Sequence, residues 1–298
     1  MFVVKYRKFF FIISGLLVLV SLGLIIFGGL NFGIDFTGGS ILEVEYIGER
    51  PSSDAVKDKV SNMAIGGYKL QPTGENGYVL RTRDLEDSER VNLLTLLSFE
   101  GSREVVQKRF SMVGPIIGEE LKQKAYIAIV IVVLAIILFI TFSFRRVSFP
   151  VSSWKYGLIA IVALVHDILI PTGAFIILGK FSGAEIDILF VTALLAILGF
   201  SVNDTIVVFD RVRENLNLNQ EKGRKESFRD TVGRSLNQTY ARSINTSLTT
   251  LLVLLTLLFL GGDSTRYFAL TLVIGVIAGT YSSIFLASPL LVVLNRGE

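Results

Sequence analysis

The sequence contains no cysteine and a single histidine, His166. Without cysteine the chain cannot form disulfides, thiolate metal sites or a thiol nucleophile. One histidine is too few for a histidine-based metal site, since such sites combine several ligands. We therefore expect no metal, no bound cofactor and no enzymatic activity of these classes.

Charged residues are also scarce, at 18% of the chain, whereas a soluble domain has about a quarter, and 51% of the residues are hydrophobic. The apolar residues cluster in six long runs, each near the roughly 20 residues that cross a bilayer as a helix. This pattern predicts an α-helical integral membrane protein with six transmembrane helices. The runs cover 9–30, 125–144, 156–178, 188–209, 244–262 and 267–294.

The small net charge of +3 conceals an uneven distribution. Loops that would share one side of the membrane carry fifteen basic residues against six acidic ones. This asymmetry predicts that this side is cytoplasmic and holds both termini, and it argues against a nucleic-acid surface. The first run is too long for a signal peptide and lacks a small-residue cleavage site, so we expect an uncleaved first span.

The only long polar segment outside the spans predicts a small extracytoplasmic domain. Leu42, Val44 and Tyr46 alternate with two glutamates, which is typical of a half-buried strand. The remaining periodicities give the order βαββαβ, which is the ferredoxin-like arrangement. The predicted domains are 1–30 (N-terminus and first helix), 31–124 (outer domain) and 125–298 (five further helices).

The cytoplasmic connection 211–241 is polar and rich in both charges. It predicts a solvated connector, with an amphipathic helix near 226–236.

A nucleotide-driven mechanism is disfavoured by the spacing of the one stretch that looks like a phosphate-binding loop. In 173–181, five residues separate the two glycines, and Phe181 stands where a magnesium-binding Ser or Thr is required. The energy for any transport must then come from another source.

Asp204, in the fourth run, is an ionisable residue within the bilayer, where a charge costs at least about 2.5–3.5 kcal/mol. Arg242 enters the fifth span from the same side, and its long side chain can reach inward. We predict that Asp204 carries protons and that Arg242 is its counter-charge. A static ion pair and an unpaired arginine at the headgroups remain alternatives.

Further polar and small residues surround this pair in the sequence. A polar stripe on the fifth span is expected to face a neighbouring helix, and two glycines at GxxxG spacing on the sixth span allow close helix approach. The supporting polar residues are Asn203, Asn245, Thr246 and Thr249, and the helix-packing residues are Gly275 and Gly279.

His166 and Asp167 lie near the middle of the third span. Adjacent residues on a helix point about 100° apart, so we expect that these two side chains do not face each other. A second proton-relay group and a hydrogen-bonded packing residue are equally compatible with this pattern.

The segment after the first span contains Gly33, Asp35, Gly38 and Gly39. Glycine readily adopts positive φ, so we favour a tight turn that joins span to strand over a direct contact with a transported cargo.

Several stretches together resemble the SecF family, the smaller subunit of the SecDF auxiliary of the protein-export machine in the RND superfamily. The most specific is 199–211, which reads GFSVNDTIVVFDR; the others are 33–39, 113–118, 242–250, 261–262 and 279–285, together with His166-Asp167. The resemblance extends over nearly the whole chain.

The resemblance implies half of a transporter that uses the proton motive force to promote export of unfolded polypeptides across the cytoplasmic membrane. It implies SecD, the SecYEG channel and YajC as partners, besides the exported polypeptide and the lipid bilayer. It also places Asp204 and Arg242 at positions implicated in proton transfer. Na⁺ is an alternative coupling ion. A stand-alone RND-like permease for a lipid or small molecule and a non-transporting scaffold are the competing functions.

Overall fold

The computed structural model describes residues 2–61, 63, 65–144 and 152–295. The basic residues Arg145, Arg146 and Arg296 of the predicted cytoplasmic side lie outside these ranges. The chain forms two compact units, of which one is Phe32–Tyr126 and the other combines Met1–Asn31 with Ile127–Glu298.

The predicted six spans are confirmed as six helical segments long and apolar enough to cross a membrane. The sixth is interrupted by a π-helical segment, Ser282–Ala287. The spans are Arg7–Gly28, Pro115–Ser143, Trp154–Ser182, Ile188–Glu221, Phe228–Leu260 and Thr265–Leu294.

The helices are numbered along the chain, and the short α1 and α3 precede and follow the first span in the sequence. They are α1 (Phe2–Lys5), α2 (Arg7–Gly28), α3 (Ile34–Thr37), α6 (Pro115–Ser143), α7 (Ser153–Ser182), α8 (Ile188–Glu221), α9 (Phe228–Leu260), α10 (Asp263–Tyr281) and α11 (Ser288–Leu294).

The outer unit has the predicted ferredoxin-like order βαββαβ. Its four strands form one antiparallel sheet with the spatial order β2-β3-β1-β4. The elements are β1 (Gly39–Tyr46), α4 (Ser53–Ser61), β2 (Lys69–Thr73), β3 (Gly77–Thr82), α5 (Asp87–Leu97) and β4 (Val105–Val113).

Alternation along β1 determines which side of this sheet is covered. Leu42, Val44 and Tyr46 are buried, whereas the intervening residues are half-buried. They pack in one core with Val56 of α4 and Leu93 of α5. The predicted half-buried strand is therefore confirmed.

The largest apolar core in the membrane bundle lies where α6, α7, α8 and α11 meet. Phe144 stacks on Tyr156 with ring centroids 4.9 Å apart, and Phe209 packs edge-on against both rings. In α2 and α6, by contrast, most apolar side chains are at least partly exposed, as expected for helices that face lipid.

The prediction of a solvated connector over 211–241 is wrong for most of this segment, whereas the amphipathic helix expected near 226–236 is present as the start of α9. α8 continues to Glu221 and α9 begins at Phe228, so only 222–227 lies between the two helices. The side chain of Ser227 accepts a hydrogen bond from the backbone N–H of Asp230, which caps α9. The polar composition of this region reflects two helix ends with polar partners, not an extended chain.

Candidate functional site

A polar cluster lies inside the bundle between α7, α8 and the π-helical segment. Its centre is the carboxylate of Asp167, which is completely buried. Oδ1 lies 2.8 Å from Nδ1 of His166, while Oδ2 accepts hydrogen bonds from Ser201 and, at 2.8 Å, from Ser282. Both oxygens of this carboxylate are therefore engaged by side chains from three segments.

The expectation that His166 and Asp167 do not face each other is wrong. Although their Cβ atoms diverge, the imidazole ring turns back so that its near nitrogen reaches the neighbouring carboxylate. The ring also lies 6.0 Å from the ring of Tyr281 at an interplanar angle of 14°. The far nitrogen, Nε2, is buried and has no hydrogen-bond partner among the described residues.

The π-helical segment presents two adjacent serines to this cluster. Ser282 reaches Asp167, and the hydroxyl of Ser283 lies 2.8 Å from that of Thr205 on α8. At the end of the segment, Ser288 donates to the carbonyl oxygen of Ser283 at 2.7 Å. Single-turn π-helical insertions occur frequently at functional sites.

Sequence reasoning did not identify Ser201 as part of this cluster. Its spacing from Asp204 and Thr205 could have indicated this role, because residues three and four positions apart lie on the same face of a helix. Ser201 and Thr205 do lie on one buried face of α8 with Asp204.

Asp204 has a different environment from Asp167. Its side chain is buried, with 7% exposure, yet Oδ2 has no hydrogen-bond partner among the described residues. Arg242 and Ser243 are adjacent residues of α9, the helix that packs against α8. The hydroxyl of Ser243 is itself buried without a hydrogen-bond partner in the described part of the chain.

The expected ion pair between Asp204 and Arg242 is not formed in this structure. Arg242 lies on the exposed side of α9, whereas the next residue, Ser243, is buried. Since successive helical residues point about 100° apart, α9 can turn only one of these two side chains towards α8. The buried side of α9 is the row Ser235, Thr239, Ser243 and Ser247.

The predicted polar stripe shares the exposed side with Arg242. Asn245, Thr246 and Thr249 are exposed on α9, and Asn203 is exposed on α8. No helix of the described chain covers this face. The expectation that the stripe faces a neighbouring helix is thus not met within the chain itself.

Gly275 and Gly279 lie where α10 crosses α8. A Cβ atom on Gly275 would come within 2.1 Å of Ile197 Cδ1, and one on Gly279 within 3.0 Å of Ser201 Cβ. The two glycines therefore allow the close approach that brings Ser201 and Ser282 to the same carboxylate.

The segment after the first span forms a tight turn. Gly33 precedes the short helix α3, which contains Asp35, and Gly38 and Gly39 follow it with φ of +72° and +126°. A Cβ atom on Gly38 would lie 2.8 Å from Pro115 Cα. Positive φ and close backbone approach both require glycine here.

No group of three or more His, Asp or Glu residues within the described ranges is arranged to hold a metal ion.

Comparisons with known proteins place this site in a family. The model for "Protein export membrane protein SecD/SecF, C-terminal" matches residues 96–297, and that for the "SecD/SecF GG Motif" matches residues 23–46. The protein translocase subunit SecF of Thermobaculum terrenum is 41% identical over 97% of this chain and 92% of its own length. That of Anaerolinea thermophila is 38% identical over 98% and 93%.

Solved structures agree with this assignment. A crystal structure of SecDF from Thermus thermophilus, described as a translocon-associated membrane protein, superposes with a TM-score of 0.84 at 32% identity. A SecDF structure in a super-membrane-facing form gives a TM-score of 0.65. The present chain, covered to 98%, spans 38% of the SecDF chain. This chain is a multi-pass membrane protein that belongs to the SecF family of protein translocase subunits.

Proposed function

We propose that this chain acts with a SecD subunit to promote export of unfolded polypeptides across the cytoplasmic membrane, driven by the proton motive force. It performs no chemical catalysis and needs no cofactor, and protons are the coupling ion. The observation that carries this proposal is the buried carboxylate oxygen of Asp204 that has no hydrogen-bond partner in the described part of the chain.

A buried carboxylate inside a membrane bundle requires a partner or a function, because an unpaired charge there is costly. Asp204 has one oxygen with no hydrogen-bond partner among the described residues. That oxygen can take up a proton without displacing an existing donor. A movement of α9 that brings Arg242 towards Asp204 would stabilise the ionised carboxylate, and a movement away from it would favour proton uptake.

The exposed side of α9 supports the need for a partner. Polar side chains in the hydrocarbon region require polar contacts or water. Such contacts are required by four exposed residues of α9, which are Arg242, Asn245, Thr246 and Thr249. A second six-span half would cover them and place Arg242 on a proton path shared between the halves. In the Thermus relative, one chain is long enough to contain both halves.

The cluster around Asp167 supports a second relay with His166. Ser282 Oγ lies within hydrogen-bond distance of Asp167 Oδ2, at 2.8 Å, and of the carbonyl oxygen of Gly279, at 3.0 Å. If Asp167 is ionised, Ser282 donates to it. If Asp167 is protonated, it donates to Ser282, which then donates to Gly279. In both states, Asp167 Oδ2 and the hydroxyl of Ser282 keep a hydrogen-bond partner.

Charge asymmetry supports a topology with both termini in the cytoplasm and the outer domain on the opposite side. The polar ends of α8 and α9 then project into the cytoplasm. This orientation suits contacts with the SecYEG channel and YajC within the membrane and contact of exported polypeptide with the outer domain.

The test is Asp204→Asn in proteoliposomes that contain the SecD partner and the SecYEG channel, with export measured with and without a proton gradient. We expect the gradient-dependent part of export to be lost, because the amide cannot carry the proton. Asp210→Asn is the matched control, since Asp210 is an exposed carboxylate on the same helix that pairs with Arg213.

A protonophore and a sodium ionophore, added in parallel, identify the coupling ion. Loss of stimulation with the sodium ionophore alone would contradict proton coupling. Full gradient-dependent export by Asp204→Asn would contradict the proposal as a whole.

A further inference from the structure

The polar ends of α8 and α9 are joined by a continuous hydrogen-bond network that neither relay uses. Its main residues are Asn215 and Asn219 on α8, Glu226 in the connection, and Arg234 on α9. These four residues are here named the clasp. Both asparagines are buried although they lie in the most polar part of the bundle unit.

The guanidinium of Arg234 spans two successive turns of α8. It donates to Asn215 Oδ1 at 2.7 Å and to Asn219 Oδ1 at 3.1 Å. It also donates to both carboxylate oxygens of Glu226, at 2.6 and 3.2 Å. Such bidentate, charge-assisted bonds fix geometry more strictly than single contacts.

The amide nitrogens of the two asparagines complete the network. Asn215 donates to the Ser235 hydroxyl and to Gln238 Oε1, both at 2.8 Å. Asn219 donates to Glu226 Oε2 at 2.8 Å and to the Thr231 hydroxyl at 3.0 Å. Each asparagine therefore accepts a hydrogen bond through its side-chain oxygen and donates hydrogen bonds through its side-chain nitrogen. Their partners lie in the connection 222–227 or on α9.

The charge state of the clasp is stable at physiological pH. Hydrogen bonds from Arg234, Asn219 and Thr231 lower the pKa of Glu226 to about 2. The ion pair with Arg234 consequently stays formed over the working range of the protein.

A satisfied buried network of this kind specifies one register between two helices. The apolar neighbours Val212, Leu216 and Val232 pack together, but hydrophobic contact tolerates sliding. A shift of α9 by one residue would break the bonds of Arg234 and leave two buried amides without partners, which is costly.

We propose that the clasp residues are positioning residues for the Asp204 site, holding α9 in the register that turns Ser243 towards α8 and leaves Arg242 on the exposed side. Asn215 lies about three turns along α8 from Asp204, and Arg234 about two turns along α9 from Arg242. Both helices are continuous over these distances, so a register fixed at the clasp is transmitted to the site. This inference rests on the proposed function of Asp204.

The test uses Arg234→Gln, with the register read by spin labels. Because the chain has no cysteine, single cysteines at Asn203 and Thr246 label the two helices directly beside the site. Both positions are exposed. In the purified full chain in detergent, where this face is uncovered, we expect Arg234→Gln to broaden the distance distribution between the labels. In the unlabelled protein reconstituted with SecD and the SecYEG channel, gradient-dependent export should fall about tenfold.

Two further variants distinguish positioning from a general loss of folding. Arg229→Gln removes the same charge from an exposed residue of α9 with no ion pair among the described residues, and should change neither measurement. Exchange of the charges, as Glu226→Arg with Arg234→Glu, should partly restore both the distance distribution and export. If Arg234→Gln is too unstable to isolate, Glu226→Gln should give a smaller effect in the same direction.

An unchanged label distribution in Arg234→Gln would overturn the positioning role, whatever the result for Asp204. Broadening together with unaltered export would overturn it as well, provided that Asp204→Asn abolishes gradient-dependent export in the same preparation. If Asp204→Asn retains export, the proposed function fails, and the spin-label result alone decides whether the clasp sets the register.

Discussion

Asp167 and Asp204 are both buried carboxylates in neighbouring spans, yet their environments differ. Asp167 has side-chain partners on both oxygens, contributed by α7, α8 and the π-helical segment. Asp204 has one oxygen without a hydrogen-bond partner among the described residues. Burial alone therefore does not define a proton site. The number of donors already present decides how each carboxylate contributes to stability and to proton exchange.

The difference between Asp167 and Asp204 should have its largest effect when each carboxylate is removed in turn. Asp167→Ala leaves the hydroxyls of Ser201 and Ser282 and the near nitrogen of His166 without their acceptor, and should destabilise the protein by about 3–5 kcal/mol. Asp204→Ala removes a less engaged group and should cost at most about 1 kcal/mol. Thermal unfolding of the purified protein in detergent measures both. Equal losses would show that the two environments are energetically alike.

The next largest loss of stability is expected when the close contact between α10 and α8 is disturbed. This contact brings together the residues of the Asp167 cluster. Gly275→Ala places a methyl group 2.1 Å from Ile197 Cδ1, so the helices or the isoleucine must shift, at a cost of about 1–3 kcal/mol. Gly199→Ala on α8 is the matched control, because a Cβ atom there meets nothing within 4 Å. The same unfolding assay applies. A neutral Gly275→Ala would indicate that the helix contact is not tight.

The smallest expected effect on stability comes from removing the hydroxyl of one serine near each carboxylate, Ser282 for Asp167 and Ser243 for Asp204. Ser282→Ala removes a hydroxyl that is hydrogen-bonded to Asp167 and should destabilise the protein by about 1 kcal/mol, since one buried hydrogen bond is lost. Ser243→Ala removes a hydroxyl without a hydrogen-bond partner among the described residues, and should change stability by less than about 0.5 kcal/mol. Chemical denaturation at constant detergent concentration resolves this difference. A larger loss of stability in Ser243→Ala than in Ser282→Ala would contradict the conclusion that Asp167 is the more strongly hydrogen-bonded carboxylate.

Local patterns in the sequence were sufficient for much of the architecture. Long apolar runs predicted the six spans, and alternation at Leu42, Val44 and Tyr46 predicted the first strand of the outer domain. The polar composition of 211–241 was misleading, because Asn215, Asn219 and Arg234 satisfy one another between helices. Composition cannot distinguish polar groups that bind water from polar groups that bind each other.

The candidate site was only partly predictable for the same reason. Ionisable residues within apolar runs marked Asp167, Asp204 and His166 directly. The partners of Asp167 come from other helices, and the contact with His166 depends on a side-chain rotamer. Neither is encoded in the spacing of neighbouring residues.

The sequence by itself determined the number of spans, the charge asymmetry and the presence of acidic residues within the membrane. These properties depend on hydropathy and charge, which can be summed along the chain. The tertiary structure decided that Ser243 and not Arg242 is turned towards α8, and that Asp167 is fully engaged while Asp204 is not. Those outcomes depend on the rotation of each helix about its axis and on its neighbours, since a change of one residue turns a side chain by about 100°.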